Sequence, residues 1–381
     1  MEMLQVYQGI DSFLFLRLRL KLNAMRPLVA PAAYRKRWAV MSTDSNAEYA
    51  FLLPLAALVW DKVMRFQPLL LLVGSSWEQP LPESRQQVVL EMLRKMKFRV
   101  QVIASSSSIN TAAVAQVGRL YACLAEGIKD DDYLLTSDAD LIPVSPTHFD
   151  SERDWEKKLH LYNPFCCAPL LLPEQGLAAA PDKVDQVRLG APAFSRGAGV
   201  EADHRLLHLP ISYAGAEAHV WRELMNLPRS EEEALRKAGV DNILQLAVEN
   251  RIIHDVGEDK AGRNVASNLK HADLELWHLD QRLWSAKVGA WQHFPAEVEF
   301  IPRHGSRDRI DRMHWEVPDS LEGYIDAHLP QPGFDELNWP QVRPLLEKLL
   351  RPLPDGERLM GLVDSYHHRY MLAFDDSQVP A

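Results

Sequence analysis

The chain has 381 residues, of which 42 are Lys or Arg and 52 are Asp or Glu, giving a net charge of −10. Hydrophobic residues make up 47% and charged residues 25%, a globular composition that excludes a disordered, collagenous or coiled-coil chain. The acidic balance disfavours a general binder of nucleic acid or of anionic membranes. The length predicts two domains, or one large α/β domain with an appendage.

Residues 1–37 form a basic N-terminal arm with seven basic and two acidic residues. Its sequence FLFLRLRLKL alternates from Leu16 onward, which favours an edge strand or a poorly ordered terminus over a membrane span. No transmembrane segment is predicted. No two of the 3 cysteines form a CxxC motif, so a structural zinc site is not expected. We therefore expect a soluble, cytoplasmic protein, with a lumenal or membrane-peripheral location through the arm as the alternative. The oligomeric state is not predicted.

Residues 38–150 alternate between short apolar runs and amphipathic stretches. The pattern predicts strands at 38–42, 69–73, 98–104 and 133–137, and helices at 48–65, 83–97 and 110–124. Such an alternation is typical of an α/β fold with a mostly parallel, Rossmann-like sheet. Ligands of these sheets bind beyond the carboxyl ends of the strands. We therefore expect residues 43–46 and the residues after Ser137 to share one edge of a nucleotide-binding half.

The remaining sequence is less regular. Residues 151–330 are predicted to form a second half, with helices at 216–225, 230–250 and 280–288. Residues 331–381 are predicted to contain one helix, at 339–351, followed by a polar tail.

The motif Asp138-Ala139-Asp140 directly follows the apolar run YLLTS. Two carboxylates that are two residues apart, at the end of a buried strand, can share one divalent ion. Mn²⁺ and Mg²⁺ prefer such oxygen ligands and keep coordination positions open for a diphosphate. The triplet from Asp130 to Asp132 has the same spacing, but it is predicted to be an exposed turn.

At this motif the chain resembles the GT-A glycosyltransferases, whose DxD motif binds a metal and a nucleotide sugar. The resemblance covers about residues 38–330, and the segment STDSNAEYAFLLPLAALVW is similar to the first strand, loop and helix of small members from algae and their viruses. It implies that Thr43, Asp44 and Asn46 bind the nucleoside. Tyr49 would lie against the uracil of a UDP-sugar, or it would only pack beside a capped helix.

The same resemblance implies the metal ligands. Asp138 would reach the ribose and the metal, and Asp140 would ligate the metal. Many families of this fold use a C-terminal histidine as the third ligand. His328 is the preferred candidate, with His304 and His314 as alternatives.

The segment PRHGSRDRIDRMHW, residues 302–315, is a positively charged island in an acidic body. Guanidinium groups match phosphate oxygens in pairs and stay charged. Arg309 and Arg312 are therefore predicted to clamp the diphosphate, although alternating charges also fit a surface network of ion pairs.

Asp280 and Gln281 begin a predicted helix and resemble an Asp-Gln pair of retaining GT-A enzymes. There the aspartate holds donor-sugar hydroxyls and the glutamine lies near the reacting carbon. In an inverting enzyme, a carboxylate here would instead be the general base. Asp280 is also a natural helix N-cap.

The resemblance implies that residues 151–330 bind the acceptor and that the C-terminal segment of this half binds the metal and the diphosphate. The acceptor side is predicted from small and aromatic residues. Gly215 lies in the small-residue run 214–216, where the backbone can approach a sugar closely. Glu217 and His219 would line this side, and Trp277 would stack on an acceptor glycan.

The sequence thus predicts a metal-dependent, possibly retaining glycosyltransferase that moves a hexosyl or deoxyhexosyl group from a UDP-sugar to a hydroxyl of a glycan or glycoconjugate. One alternative is a sugar-1-phosphate nucleotidyltransferase, although residues 42–50 lack the glycines that cradle a triphosphate. The other is a non-catalytic carbohydrate-binding protein of the same fold.

Overall fold

Strands and helices alternate from residue 37 onward in a computed structural model of the chain. The structure describes residues 36–104, 109–150, 153–163, 209–240, 242–256, 279–301 and 309–374. The basic arm up to residue 35, the predicted sugar-stacking Trp277, the alternative ligand His304, and Arg303 and Arg307 of the basic island lie outside these residues.

A seven-stranded sheet is the centre of the described chain. Its strands are β1 (Arg37–Thr43), β2 (Gln67–Val73), β3 (Arg99–Ile103), β4 (Tyr133–Thr136), β6 (Leu159–Tyr162), β7 (Ala214–Glu217) and β8 (Val298–Ile301). Their spatial order is β3-β2-β1-β4-β7-β6-β8, and β7 alone runs antiparallel to its neighbours. The predicted α/β class with a mostly parallel sheet is therefore confirmed.

Both faces of the sheet are buried, because successive residues of its strands point to opposite faces and are apolar on both. In β2, Leu70 and Leu72 pack into one core, and Leu69 and Leu71 pack into the other. The first core is covered by α1 (Ala47–Lys62), α2 (Arg85–Lys95), α9 (Trp339–Leu350) and α10 (Gly356–Leu372). The second is covered by α3 (Thr111–Gly118), α5 (Ala218–Met225), α7 (Ile243–Val256) and α8 (Leu279–Gly289).

A smaller sheet lies beside the first and has three strands in the order β5-β10-β9. They are β5 (Leu141–Pro143), β9 (Arg309–Asp311) and β10 (Asp326–His328). β10 pairs antiparallel with β5 and parallel with β9, with His328 opposite Leu141. This register brings His328 next to Asp140, which immediately precedes β5.

Three predicted elements need correction. The predicted helix at 230–250 is two helices, α6 (Arg229–Lys237) and α7, because Gly239 has a positive φ of 78° that ends the first. The predicted helix at 110–124 continues beyond Gly118 as a 3₁₀ helix, Arg119–Leu124. The predicted polar tail is wrong up to residue 372, since the 17 residues of α10 bury apolar side chains at helical spacing. The short helix α4 (Pro146–Asp150) was not predicted.

His160, on β6, gives the fold a predicted pH dependence. Burial, partly offset by hydrogen bonds, lowers the pKa of His160 to about 4. Its ring lies 3.2 Å from the Tyr133 hydroxyl and 3.0 Å from the Asp154 carbonyl oxygen. His160 in the unfolded chain therefore binds a proton below about pH 6.5, whereas in the folded chain it does so only below about pH 4. Because the unfolded state binds more protons between these values, the folded state loses stability as the pH falls.

We expect His160 to lower the free energy of unfolding by about 3 kcal/mol as the pH falls from 7 to 4. Urea unfolding at several pH values, for the wild type and His160→Gln, measures the contribution as the difference between the two slopes. Equal slopes for the two proteins would contradict it.

Candidate active site

The loop after β1 is held by its own polar side chains and by Thr111 at the start of α3. One Asp44 carboxylate oxygen accepts the Asn46 backbone N–H at 3.0 Å, and the other accepts the Thr111 hydroxyl at 3.1 Å. The Asn46 side chain accepts the Glu48 N–H at 2.9 Å and so caps α1. The Thr43 hydroxyl donates to the Asp44 carbonyl oxygen. Burial raises the pKa of Asp44, although these hydrogen bonds oppose the rise.

This loop and Asp138 lie at the same edge of the sheet. β1 and β4 are parallel neighbours, and the Ser137 N–H donates to the Val40 carbonyl oxygen at 2.8 Å. The carboxyl end of β4 therefore leads into Asp138 beside the end of β1. The predicted common edge is confirmed.

Asp138 is bound through both carboxylate oxygens. Its Oδ1 pairs with the Arg119 guanidinium, and its Oδ2 accepts the Ser212 hydroxyl at 2.6 Å. Burial acts to raise the pKa of Asp138, but the charge of Arg119 and these hydrogen bonds hold it below its usual value. Asp138 thus remains an anion although only 30% of its side chain is exposed.

Arg119 joins this motif to α8. Its side chain is 7% exposed, and its Nη2 lies 2.8 Å from the Asp280 Oδ2. One guanidinium therefore bridges two carboxylates that are 142 positions apart in the sequence. Arg119 was not predicted from the sequence, although a charged residue in the apolar run AAVAQVGRLYACL was a usable signal.

The predicted pair Asp280 and Gln281 lies at this bridge. The other Asp280 oxygen, Oδ1, accepts the Gln281 N–H at 2.7 Å, and the helix begins one residue earlier, at Leu279. Burial raises the pKa of Asp280, and Arg119 counteracts it. The Gln281 Oε1 is buried and has no hydrogen-bond partner among the described residues. An unpaired buried carbonyl at a site of this kind can accept a hydrogen bond from a ligand hydroxyl.

Asp140 forms a second polar centre with residues from the C-terminal part of the chain. Its Oδ2 lies 3.1 Å from the His328 Nε2, 2.9 Å from the Gln331 Nε2 and 3.5 Å from the Arg312 Nη1. The Leu329 N–H also donates to the Asp140 carbonyl oxygen at 2.9 Å. Pairing of β5 with β10 thus explains why a histidine 188 positions away reaches this carboxylate. Gln331 was not predicted.

The two predicted arginines occupy different surroundings. Arg312 is beside Asp140 and has 39% of its side chain exposed, so it can meet an anionic ligand. Arg309 instead forms a bidentate ion pair with the buried Asp326, with both N–O distances at 2.6 Å. The alternative ligand His314 lies in the short 3₁₀ turn after β9, in the exposed segment Arg312–His314.

Tyr49 lies on the first turn of α1, close to the same centre. Its hydroxyl lies beside the Gln331 side chain, and burial together with the charge of Asp140 raises the pKa of this hydroxyl. The residue predicted to meet the base therefore also contacts the Asp140 cluster.

The structure does not bring Gly215 and Glu217 to this site. In the β4–β7 pairing, Glu217 faces Tyr133, at the end of β4 opposite Asp138. A Cβ at Gly215 would lie 2.0 Å from the Tyr133 hydroxyl oxygen, so the missing side chain makes room for that ring. His219 lies 3.3 Å from Glu217 at the same opposite edge.

The fit of a divalent ion can be judged from these atoms. Adjacent ligands of an octahedral Mg²⁺ or Mn²⁺ are about 3 Å apart, since each lies about 2.1 Å from the ion. The Asp140 Oδ2 and His328 Nε2 have this separation. Among the described residues, no three His, Cys, Asp or Glu side chains form a metal-binding group. Two protein ligands still fit, because Mg²⁺ is commonly bound by one or two carboxylates together with substrate phosphates.

The described part of the chain contains no helix that is both long and apolar enough to cross a membrane.

Neither a protein-family model nor a curated protein sequence matches the chain. Among solved structures, the galactosyltransferase LgtC in complex with donor and acceptor sugar analogs matches 86% of this chain and 95% of its own, with 13% identity and a TM-score of 0.38. The glycosyltransferase GlyE of Streptococcus pneumoniae TIGR4 matches 91% and 67%, with 13% identity and a TM-score of 0.36. The bifunctional glycosyltransferase WbbM matches 90% and 53%, with 7% identity and a TM-score of 0.39. Similarity at this level carries no functional argument.

Proposed function

We propose that the chain is a glycosyltransferase that depends on a divalent metal and uses a nucleotide diphosphate sugar, with UDP as the nucleotide. One observation carries the proposal: at the carboxyl end of β4, Asp138 is joined through Arg119 to Asp280, and Asp140 meets His328. A carboxylate beside a histidine suits a metal–diphosphate, and the adjacent Asp-Arg-Asp arrangement, in which Arg119 and Asp280 are buried, suits the hydroxyls of a sugar.

The loop after β1 binds the nucleoside in this proposal. Thr43, Asp44 and Asn46 lie at the same edge as Asp138, and Asp44 is fixed by two hydrogen bonds. The fixed carboxylate presents an acceptor to the base or the ribose without losing side-chain freedom on binding.

Asp140 and His328 hold the metal ion, and Asp138 orients the donor beside it. When bound, the ion neutralises charge that develops on the departing diphosphate. Arg312 adds an exposed positive charge at the same place, and a charge fixed in advance stabilises the leaving group at little cost in reorganisation. Arg309, on β9, pairs with Asp326 and so stabilises β10, the strand that carries His328.

Asp280 and Gln281 act on the sugar. Asp280 accepts hydrogen bonds from sugar hydroxyls, and the unpaired Oε1 of Gln281 accepts one near the reacting carbon. The bond from this carbon to the diphosphate oxygen breaks, and a bond to the hydroxyl oxygen of a glycan or glycoconjugate forms. We propose that the departing diphosphate receives the hydroxyl proton, an arrangement that retains the anomeric configuration.

A screen of nucleotide sugars tests this function. We expect release of free nucleotide from one UDP-sugar in the presence of Mn²⁺, and no release when EDTA removes the ion. Release of pyrophosphate from UTP and a sugar-1-phosphate would favour a nucleotidyltransferase instead. Donor binding without turnover of any donor, with or without added glycans, would favour a carbohydrate-binding protein.

A further inference from the structure

Asp140 depends on a neutral neighbour as well as on charged ones. The amide nitrogen of Gln331, in the segment directly after β10, donates to the Asp140 Oδ2 at 2.9 Å. This is the same oxygen that lies 3.1 Å from the His328 Nε2. A carboxylate oxygen has two lone pairs, so Oδ2 can keep the hydrogen bond from Gln331 while it binds an ion.

We propose that Gln331 is a positioning residue that orients the Asp140 carboxylate towards the metal ion, an inference that rests on the proposed function. A carboxylate rotates about its last side-chain bond with little preference between orientations. The hydrogen bond from Gln331 selects the orientation in which Oδ2 is beside His328. Partners outside the ligand shell typically change metal affinity about 10–100-fold when they are removed.

Tyr49 supports Gln331 from the side of α1. The Tyr49 hydroxyl lies beside the Gln331 side chain, and Tyr49 lies only three positions after the N-cap Asn46. Gln331 is further restrained by its own segment, because the Asn338 side chain donates to the Pro332 carbonyl oxygen at 3.0 Å. The orientation of Asp140 is thus tied to the helix that begins at the proposed nucleoside loop.

The test is calorimetric titration of Mn²⁺ into the full chain in the presence of UDP. Gln331→Leu keeps the approximate size of the side chain but removes the donor, and we expect the Mn²⁺ affinity to fall about 10-fold or more. Tyr49→Phe, which removes the hydroxyl beside Gln331, should lower the Mn²⁺ affinity by a smaller factor. For Gln331→Leu, UDP affinity in EDTA and the midpoint of urea unfolding should not change. In turnover assays, the KM for Mn²⁺ should rise while kcat at saturating Mn²⁺ stays at the wild-type value.

Gln341→Leu is the matched control, because the Gln341 amide donates to the Leu337 carbonyl oxygen and not to Asp140. It should bind Mn²⁺ like the wild type. Wild-type affinity in Gln331→Leu would overturn the inference alone, as would a parallel loss of metal-free UDP binding, which indicates a general structural role. A wild-type chain that binds no Mn²⁺ would overturn the proposed function together with this inference.

Discussion

Replacing Asp140 by asparagine should abolish Mn²⁺-dependent binding of UDP. The substitution keeps the size of the side chain but removes the charge on which His328, Gln331 and Arg312 converge. A neutral amide is a poor ligand for a hard cation compared with a carboxylate. We expect turnover to fall by about three orders of magnitude or more, since metal neutralisation of a leaving diphosphate contributes several kcal/mol.

Calorimetry with UDP and Mn²⁺ measures the binding, and circular dichroism establishes that the variant is folded. The control is Asp130→Asn, which makes the same change in the triplet at the opposite end of β4, where Asp130 pairs with Arg229 at 2.5 Å. It should bind UDP and Mn²⁺ like the wild type. Full metal-dependent binding by Asp140→Asn would remove Asp140 from the proposed site.

Replacing Arg119 by methionine should lower the free energy of unfolding more than a surface substitution does. The change leaves the buried carboxylate of Asp280 and the half-buried carboxylate of Asp138 without their common counterion. Removing one partner of a buried ion pair typically costs about 3–5 kcal/mol, because the remaining charge is no longer compensated. Urea unfolding measures the loss, and donor turnover should fall to background because the two carboxylates repel each other.

Two further variants separate the effect of burial on stability from the effect of the number of unpaired charges. Arg343→Met also breaks a bidentate pair, with Asp364, but that pair is about one-third exposed and should cost about 1 kcal/mol or less. Adding Asp280→Asn to Arg119→Met removes one uncompensated charge, so part of the lost stability should return without any turnover. A stability loss for Arg119→Met no larger than that for Arg343→Met would contradict a buried bridge.

Local patterns predicted the first half of the sheet well. The runs around Val40, Leu71 and Leu134 are apolar and bounded by polar turns, so their strands could be found without tertiary information. The strands β5, β9 and β10 could not, because each has only three residues and exists through pairing with the others. Periodicity over three residues is too short to distinguish a strand from a loop.

The site shows the same limit. Asp138 and Asp140 were found because they end a strong apolar strand, and Asp280 was found through a resemblance. Arg119 and Gln331 were missed because their importance comes from contacts over 19 and 191 positions. Glu217 was predicted as a site residue because neighbouring residues in sequence suggested it, but an antiparallel strand carries successive residues away from the edge where the site is.

The contacts of α10 determine when α1 receives its full packing during synthesis. The Tyr370 hydroxyl donates to the Ala47 carbonyl oxygen at 2.6 Å, across 323 positions, and the Tyr366 hydroxyl donates to that of Phe51 at 3.0 Å. The His367 ring lies 2.8 Å from the Phe334 carbonyl oxygen, in the segment that follows Gln331. The helix α1 therefore receives this support only after residue 370 has left the ribosome. In a nascent chain, the proposed nucleoside loop would therefore gain this support late, after the strands of both sheets have been made.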